Sequence, residues 1–457
     1  MQRKVSEELL DWKNNPEHKS LIIMGCRQCG KTYAVMEFAE KHYSNVISIN
    51  FETNPEKKDY FEGPLDSDTL LHNIALYENT DIVKGRTVLI LDEIQACSRA
   101  YSSLKPLSGN GICDVIALGS FLGINLEDSD DGISPLGYVD TVNMNPMDFE
   151  EFLWAMGVRK EIVDEANRCI SERTPLPSAL HRAMSDMFRR YLVIGGMPEA
   201  VRTYVETSSY PSTMKVLKDI VSILMRDSGK YSRKAGRSKI NLCFLSIPEQ
   251  ISRDNKRFQY TDVEKKKNIG KRTYGSALSW LVDAGIALRC HNLDEIVPPL
   301  SESVKEDDFK IYLTDTGILA ALMDSFDPSD LVLRDPYSNH GAFMESAVAS
   351  ALQKKGYPLY YYRKENSTLE VDFVIRMDKA VTILEVKSGR KRRSRSLKIL
   401  MAEKDRYRKG IRIVDGNIKM NEGILEMPLY APCFFKINEI RDIPTVDVEA
   451  INSINID

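Results

Sequence analysis

Short apolar runs alternate with amphipathic segments over the first 120 residues of the chain. Four of these runs have the length and composition of buried strands: residues 21–24, 46–51, 88–91 and 115–118. The segments that separate them include stretches with helical spacing, and such alternation of strand and helix predicts a parallel α/β sheet. A polar lead-in over residues 2–17 is predicted to be helical, with Leu9, Leu10 and Trp12 as its packing positions.

The first apolar run continues directly into a phosphate-binding loop, G-x-x-x-x-G-K-T. Gly25 and Gly30 permit a backbone that turns several N–H groups toward phosphate oxygens, and the following helix offers its positive N-terminal end. Lys31 is expected to neutralise the β- and γ-phosphates, and Thr32 to give its hydroxyl to Mg²⁺. The predicted ATP-binding set comprises Gly25, Cys26, Arg27, Gln28, Cys29, Gly30, Lys31, Thr32 and Tyr33.

The third apolar run ends in two acids, Asp92 and Glu93, as expected at the carboxyl end of a central parallel strand that faces a nucleotide. Asp92 is predicted to hold Mg²⁺ through water, and Glu93 to polarise the attacking water. Alone, this pattern is more often a strand end with solvated acids, but beside the phosphate loop it indicates ATP hydrolysis. The next strand ends at Ser120, which is predicted to sense the γ-phosphate, although Gly-Ser is also ordinary turn chemistry. Lys31, Glu93 and Ser120 are the predicted catalytic residues.

Bulk composition is that of a soluble globular protein. The 62 Lys and Arg residues nearly balance the 66 Asp and Glu residues, so the whole chain carries no electrostatic signal for nucleic acid or membrane. No signal-peptide core or membrane span is apparent, which predicts a cytoplasmic protein without a membrane partner. The single C-x-x-C pair, Cys26 and Cys29, is interpreted as loop filling because no second pair completes a zinc site, and a redox switch is the alternative.

A helix-rich region follows, interrupted by Gly195-Gly196-Met197-Pro198-Glu199, and it predicts a helical lid over the nucleotide. The acidic run at residues 127–132 that precedes it is predicted to be an exposed loop. Basic residues cluster at 230–239 and 265–272, either as a solvated face or as part of a nucleic-acid surface. Residues 260–288 predict a helix-turn-helix variant, with one helix starting at 260, a second around 277–281 and a wing-like strand from 286, which would grip DNA or protein.

A second set of acids lies near the C-terminus. Glu370-Val371-Asp372 and Glu385-Val386-Lys387 occupy neighbouring predicted strands, and Glu345 lies on the preceding predicted helix. Asp372 and Glu385 could bind Mg²⁺ and generate a hydroxide, while Lys387 would stabilise charge on a scissile phosphate. The alternative is a row of exposed charges on a hairpin. Basic residues at 390–393 would neutralise a nucleic-acid backbone, or form a solvated loop.

The order of these motifs resembles that of the prokaryotic AAA-type P-loop ATPases with a C-terminal restriction-endonuclease-like domain. The resemblance rests on these residues: Gly25–Thr32, Leu91–Gln95, Gly119-Ser120, Gly195–Glu199, Tyr312–Gly317, Glu345, Glu370–Phe373 and Glu385–Lys387. It implies ATP and Mg²⁺ at the first site, a winged-helix-like middle segment and a PD-(D/E)XK-like fold at the end.

The chain departs from the family pattern at two places. It has Gly137-Tyr138 where the family commonly has Gly-Arg, so an arginine finger supplied by a neighbouring copy is not established. The alternatives are Arg226, Arg233 and Arg237. The terminal motif reads Val371-Asp372 in place of Pro-Asp, so catalysis there is neither excluded nor shown.

The sequence therefore predicts an α/β protein with a P-loop NTPase parallel sheet, a helical lid, a winged-helix-like middle segment and a small α/β nuclease-like domain. The predicted boundaries are 1–149, 150–239, 240–334 and 335–457. The predicted function is Mg²⁺-dependent ATP hydrolysis that drives a conformational change of the nuclease-like module. An ATP-gated metal-dependent DNase and a non-cleaving nucleotide-dependent switch remain alternatives, with double-stranded DNA, a protein or a second copy as the partner.

Overall fold

The computed structural model describes residues 1–109, 111–120, 135, 137–228, 234–265, 270–323, 326–333, 341–365, 367–387, 394–402 and 408–437. Several stretches named in the sequence analysis lie outside the described residues: the acidic run 127–132, Arg233, part of each basic cluster, and the basic residues 390–393.

The N-terminal region is a five-stranded, fully parallel sheet in the order β2-β3-β4-β1-β5. Its strands are β1 (Ser20–Gly25), β2 (Asn45–Asn50), β3 (Thr87–Asp92), β4 (Asp114–Gly119) and β5 (Val139–Met144). Its helices are α1 (Val5–Asn14), α2 (Lys31–His42), α3 (Ser67–Tyr77) and α4 (Ser98–Leu107). Because β1 is flanked by β4 and β5, the turn after β1 lies at a switch point of the sheet, where ligands bind in such folds. The predicted P-loop NTPase sheet is confirmed.

Helix α1 packs on this sheet through one face only. Leu9 and Trp12 are buried, as predicted, but the prediction for Leu10 is wrong because its side chain is 38% exposed. Leu9 and Trp12 are three positions apart and share a face, whereas Leu10 lies about 100° around the helix from Leu9.

A block of helices follows the first sheet. It comprises α5 (Phe149–Ala155), α6 (Lys160–Glu172), α7 (Ser178–Ile194), α8 (Pro198–Thr207), α9 (Tyr210–Asp227), α10 (Lys234–Ile251) and α11 (Lys271–Asp283). Asp148 begins α5 with a capping box, since its side chain and that of Glu151 each accept a hydrogen bond from the other's backbone N–H. Pro198 occupies the first turn of α8, where its missing N–H is not needed. The helix predicted to start at residue 260 is instead a three-residue 3₁₀ turn, Tyr260–Asp262.

The remaining strands form one eight-stranded mixed sheet in the order β12-β13-β11-β10-β9-β8-β6-β7. They are β6 (Ala287–Leu293), β7 (Val304–Leu313), β8 (Tyr360–Arg363), β9 (Glu370–Met377), β10 (Ala380–Lys387), β11 (Arg408–Val414), β12 (Lys419–Asn421) and β13 (Ile424–Pro428). The accompanying helices are α12 (Thr316–Leu322), α13 (Pro328–Val332), α14 (Gly341–Lys354) and α15 (Arg395–Ala402). Strand β6 pairs in parallel with β8, so the sheet runs across the boundary predicted at residue 335. That boundary stays a prediction.

The glycine pair before α8 lies where three parts of the chain meet. The N–H of Met147 donates to the carbonyl of Gly196 at 2.7 Å, and the N–H of Gly196 donates to the carboxylate of Asp315 at 2.6 Å. A Cβ on Gly196 would stand 2.0 Å from the Met147 carbonyl oxygen. Gly195 adopts a positive φ of 72°, which favours glycine. The pair therefore allows the end of α7, the segment before α5 and the start of α12 to approach closely.

Candidate functional site

The phosphate loop connects β1 to α2 and adopts the backbone that its glycines predict. Gly30 has a φ of +90° and immediately precedes α2, and Gln28 also has a positive φ of 66°. The Lys31 ammonium donates to the carbonyls of Gly25 at 2.9 Å and Cys26 at 3.0 Å, so it lies over the loop. Backbone N–H groups and a cation are thereby brought to the N-terminal end of one helix, which is an arrangement that binds phosphate.

The acid pair at the end of β3 faces this loop. The Thr32 hydroxyl donates to Asp92 at 3.0 Å, and the side-chain amide of Asn50 donates to the same carboxylate oxygen at 3.0 Å. Asp92 is buried, and its second oxygen accepts the N–H of Glu93 at 2.9 Å. Hydroxyl and carboxylate oxygens are ligands that Mg²⁺ prefers, so Thr32 and Asp92 suit that ion. Glu93 has a left-handed φ of 52°, and the amide of Gln95 donates to its carboxylate.

These residues line one cavity of about 540 Å³. The predicted residues on its wall are Arg27, Gln28, Gly30, Lys31, Thr32, Tyr33, Asp92 and Glu93. Tyr33 is 62% exposed at the cavity mouth. Five further lining residues were missed by the sequence analysis: Met1, Arg3, Pro198, Glu199 and Arg202. The Gly-Gly-Met-Pro-Glu motif could have identified those on α8, because it interrupts the helical pattern of the lid, but no local signal marks Met1 or Arg3.

Arg3 joins the N-terminal segment to the phosphate loop. Its guanidinium donates to the carbonyl of Cys29 at 2.9 Å, to the carbonyl of Asn145 at 2.7 Å and to the carboxylate of Glu151 at 3.0 Å. The side chain is 7% exposed. The chain ahead of α1 is thus fixed beside the phosphate loop.

Gly25, Cys26 and Cys29 do not line the cavity; they form the loop's inner side. Both thiols are buried, and the Cys29 thiol donates to the carbonyl of Met144 at 3.4 Å. A hydrogen bond shared with Cys26, together with the charges of Lys31 and Arg3, lowers the pKa of the Cys29 thiol to about 6, although burial opposes this. The same hydrogen bond and burial raise the pKa of the Cys26 thiol.

Ser120 lies beside the loop but not in the nucleotide cavity. It is buried, and it lines a small cavity of about 20 Å³ together with Arg27 and Asp227. Its hydroxyl has no hydrogen-bond partner among the described residues. Of the arginines named as finger candidates, Arg226 donates to the carbonyl of Ser222 in its own helix, and Arg237 is exposed on α10. Neither lines the nucleotide cavity of this chain.

The predicted terminal acids come together around Glu345 of α14, which is 2% exposed. Its carboxylate accepts hydrogen bonds from Tyr312 and Lys256, and Lys310 lies 3.3 Å away. Burial opposes the charge, but the two ammonium groups more than offset this and lower the pKa of Glu345 to about 2. Lys310 is 1% exposed and also pairs with Glu370 at 2.8 Å. Sequence analysis missed both lysines and Tyr312 as members of this cluster.

The other terminal residues lie on β9 and β10 beside this cluster. Asp372 accepts the N–H of Val386 at 2.8 Å, and burial followed by the charge of Glu345 raises the pKa of Asp372 to about 6. Lys387 pairs with Glu385 at 2.8 Å. Burial lowers the pKa of Lys387, but this ion pair more than offsets it, so the pKa is raised. No group of three metal-ligating side chains is found among the described residues.

The fold is that of a P-loop NTPase. Three features define it: the order of the strands in the first sheet, the backbone of the phosphate loop and the contact between Thr32 and Asp92. Comparison with protein families agrees, since residues 17–153 match a family described as an AAA domain. These residues are therefore an AAA ATPase domain. Residues 185–329 match a domain of unknown function, DUF8612, and residues 340–432 match another, DUF4143. No curated protein matches the chain.

Solved structures with distant similarity include three archaeal proteins. The Walker-type ATPase of Pyrococcus abyssi has 14% identity and a TM-score of 0.42, with 70% of this chain and 95% of that chain covered. The ORC2 protein of Aeropyrum pernix, in ADPNP–ADP complexes, has 11% identity and a TM-score of 0.34, with 73% and 93% covered. Cdc6p of Pyrobaculum aerophilum has 13% identity and a TM-score of 0.23, with 72% and 92% covered.

Among the helices described, none combines the length and the apolar character needed to cross a bilayer.

Proposed function

We propose that the AAA ATPase domain hydrolyses ATP with Mg²⁺ and that hydrolysis moves the helical lid. The single observation that carries the proposal is the 3.0 Å contact between Thr32 and Asp92, because it brings the phosphate loop and the acid strand end to one cavity. Lys31 would bind the β- and γ-phosphates, and Thr32 with Asp92 would hold Mg²⁺. Glu93 would orient the attacking water.

The lid is coupled to this chemistry because it forms part of the cavity wall. Pro198, Glu199 and Arg202 of α8 line the cavity together with the phosphate loop. A Cβ on Gly30 would stand 3.3 Å from the Pro198 ring, so loop and lid are in close contact. A nucleotide in the cavity would contact both the phosphate loop and helix α8. Loss of its γ-phosphate would therefore change the contacts that hold α8 in place.

The deciding experiment measures ATP binding and hydrolysis by the wild-type protein and by Glu93→Gln. The amide keeps the shape of the side chain but removes the base, so binding is expected to persist while hydrolysis falls about 100-fold or more. Glu40→Gln, at an exposed position of α2, is the matched control. Wild-type turnover by Glu93→Gln would refute the role of Glu93, and an absence of wild-type turnover would refute the proposed activity.

We further propose that the C-terminal module acts as a non-cleaving, nuclease-like partner-binding unit. The observation that favours this is Lys310, which is 1% exposed and lies between the carboxylates of Glu345 and Glu370. With Lys256 and Lys310 on its carboxylate, Glu345 does not fit a divalent cation, because two cations already neutralise it. Glu385, one of the two predicted metal ligands, is likewise paired with a cation, because Lys387 lies 2.8 Å from its carboxylate.

The same ATPase assay with and without double-stranded DNA, together with a gel for DNA integrity, tests this second proposal. DNA that stimulates turnover and remains whole would support a DNA-binding switch. Indifference to DNA would direct the partner search to proteins. Mg²⁺-dependent cleavage that is lost in both Asp372→Ala and Lys387→Ala would overturn the proposal in favour of an ATP-gated DNase.

A further inference from the structure

Arg27 connects the phosphate loop to the end of lid helix α9. One nitrogen of its guanidinium lies 2.9 Å from the carboxylate of Asp227, the last residue of α9. The other lies 3.0 Å from Glu52 and 3.9 Å from Glu93. One cation of the loop is therefore shared by three acids, each from a different part of the chain.

The three contacts differ in length. Asp227 and Glu52 are within hydrogen-bonding distance of the guanidinium, whereas Glu93 is about 1 Å farther away. Glu93 is at the same time held by the amide of Gln95. Because the side chain of Arg27 is only 18% exposed, water screens these interactions incompletely. Asp227 therefore holds the guanidinium on the lid side of the loop.

The end of α9 also belongs to a larger contact region. Asp227, Arg27 and Ser120 line one small cavity, and its wall also includes Leu224 of α9 and Trp280 of α11. Helix α11 leads into β6, the strand that joins the eight-stranded sheet. A displacement of α11 would thus change the cavity wall that Trp280 shares with Asp227.

We propose that Asp227 is a positioning residue that permits hydrolysis by keeping the Arg27 guanidinium away from Glu93. This inference rests on the proposed ATPase function and specifies how the lid regulates it. When α9 withdraws, Arg27 loses the anion that holds its first nitrogen. The second nitrogen keeps Glu52 and is also the one that lies 3.9 Å from Glu93, so the guanidinium then pairs with Glu93 as well. A carboxylate held in that ion pair no longer orients the attacking water.

The test compares steady-state hydrolysis by Asp227→Asn with wild type. We expect kcat to fall about tenfold or more while KM for ATP changes less than about twofold, because Asp227 does not line the nucleotide cavity. Asp227→Glu retains the anion and should recover most of the lost kcat. Asp219→Asn, an exposed acid on the same helix, is the control and should leave kcat unchanged.

A second substitution separates this role from a merely structural one. Adding Arg27→Gln to Asp227→Asn removes the guanidinium that would capture Glu93, so the double variant should have a higher kcat than Asp227→Asn alone. If Asp227 had a merely structural role, the kcat of the double variant would be equal to or lower than that of the slower single variant. An unchanged kcat in Asp227→Asn, or a double variant no faster than it, would overturn the inference.

Thermal unfolding is recorded for every variant. Should Asp227→Asn lack a cooperative transition, Arg27→Gln is compared with the double variant, which removes both charges of the Arg27–Asp227 ion pair. Since Asp227 acts only through Arg27, these two should agree in kcat within about threefold, and a further loss of about tenfold would contradict the proposal. Failure of the wild-type protein to hydrolyse ATP would instead refute the proposed function.

Discussion

The guanidinium of Arg3 lies 3.0 Å from the carboxylate of Glu151, although the two residues are 148 positions apart in the sequence. Their side chains are 7% and 6% exposed. The same guanidinium donates to the carbonyl of Cys29, so this ion pair fixes the N-terminal segment, the phosphate loop and helix α5 to one another. The wall of the nucleotide cavity therefore depends on Arg3, which precedes the AAA domain of residues 17–153, and on Glu151 near the end of that domain.

Substituting Arg3 by Met should leave the Glu151 carboxylate buried without its charged partner. Breaking a buried ion pair in this way is expected to lower the free energy of unfolding by about 3 kcal/mol. Urea unfolding followed by circular dichroism measures this change. Lys41→Met removes an exposed ion pair with Glu37 and should change stability by less than about 1 kcal/mol. If the Arg3→Met protein had the same free energy of unfolding as wild type, the ion pair would make no net contribution to stability.

Substituting Asp92 by Asn should weaken Mg²⁺ binding while preserving the shape of the strand end. The amide retains one oxygen for Thr32 but loses the negative charge that attracts the ion. We expect hydrolysis to fall about 100-fold or more at saturating ATP, with a higher Mg²⁺ requirement for what remains. A Mg²⁺ titration of turnover provides the measurement, with Asp68→Asn on the exposed start of α3 as the control. A wild-type Mg²⁺ dependence would contradict the assignment.

Substituting Gly196 by Ala should destabilise the junction between α7, α12 and the segment before α5. The added Cβ would stand 2.0 Å from the Met147 carbonyl oxygen, which is too close for any two such atoms, so the backbone must shift. A loss of about 2 kcal/mol or more is expected. Gly270→Ala is the matched control, because no atom of the described residues, its chain neighbours apart, lies within 4 Å of its added Cβ. Thermal unfolding of the two variants should separate them, and equal midpoints would refute the close approach.

Substituting Asp372 by Asn should change the pH dependence of stability. Burial and the charge of Glu345 raise the pKa of Asp372 to about 6 from an ordinary value of 3.8. Between these two values the native state binds the proton more tightly than the unfolded chain, so the free energy of unfolding falls as pH rises. We expect Asp372→Asn to remove a decrease on the order of 1 kcal/mol between pH 4.5 and 7.

Urea unfolding at pH 4.5 and pH 7 measures this difference. The opposite effect of Glu345, whose pKa is lowered from 4.5 to about 2, adds stability mainly between those two values and only about 0.4 kcal/mol more between pH 4.5 and 7. Identical pH profiles for wild type and Asp372→Asn would show that Asp372 does not titrate in this range.

The structural elements that could be predicted from the sequence are those that depend on residues close together in the chain. The apolar runs before Gly25 and Asp92 are buried strands of the parallel sheet, and the phosphate loop has the backbone that Gly30 requires. The contacts that could not be predicted join distant positions. Lys256 meets Glu345 across 89 residues, and no periodicity in either segment encodes this pairing. The place of Arg3 in the cavity wall could not be predicted either, because its contacts with Cys29 and Asn145 also join distant positions.

The eight-stranded sheet limits how the chain can be divided. Strand β8 is hydrogen-bonded to β6 on one side and to β9 on the other. A fragment starting at residue 335 would leave β8 as an unprotected edge, and edges of this kind recruit other strands and promote aggregation. It would also deprive Glu345 of Lys310, Tyr312 and Lys256. The C-terminal module is therefore not a portable unit, and its transfer to another ATPase would require the strands that precede it.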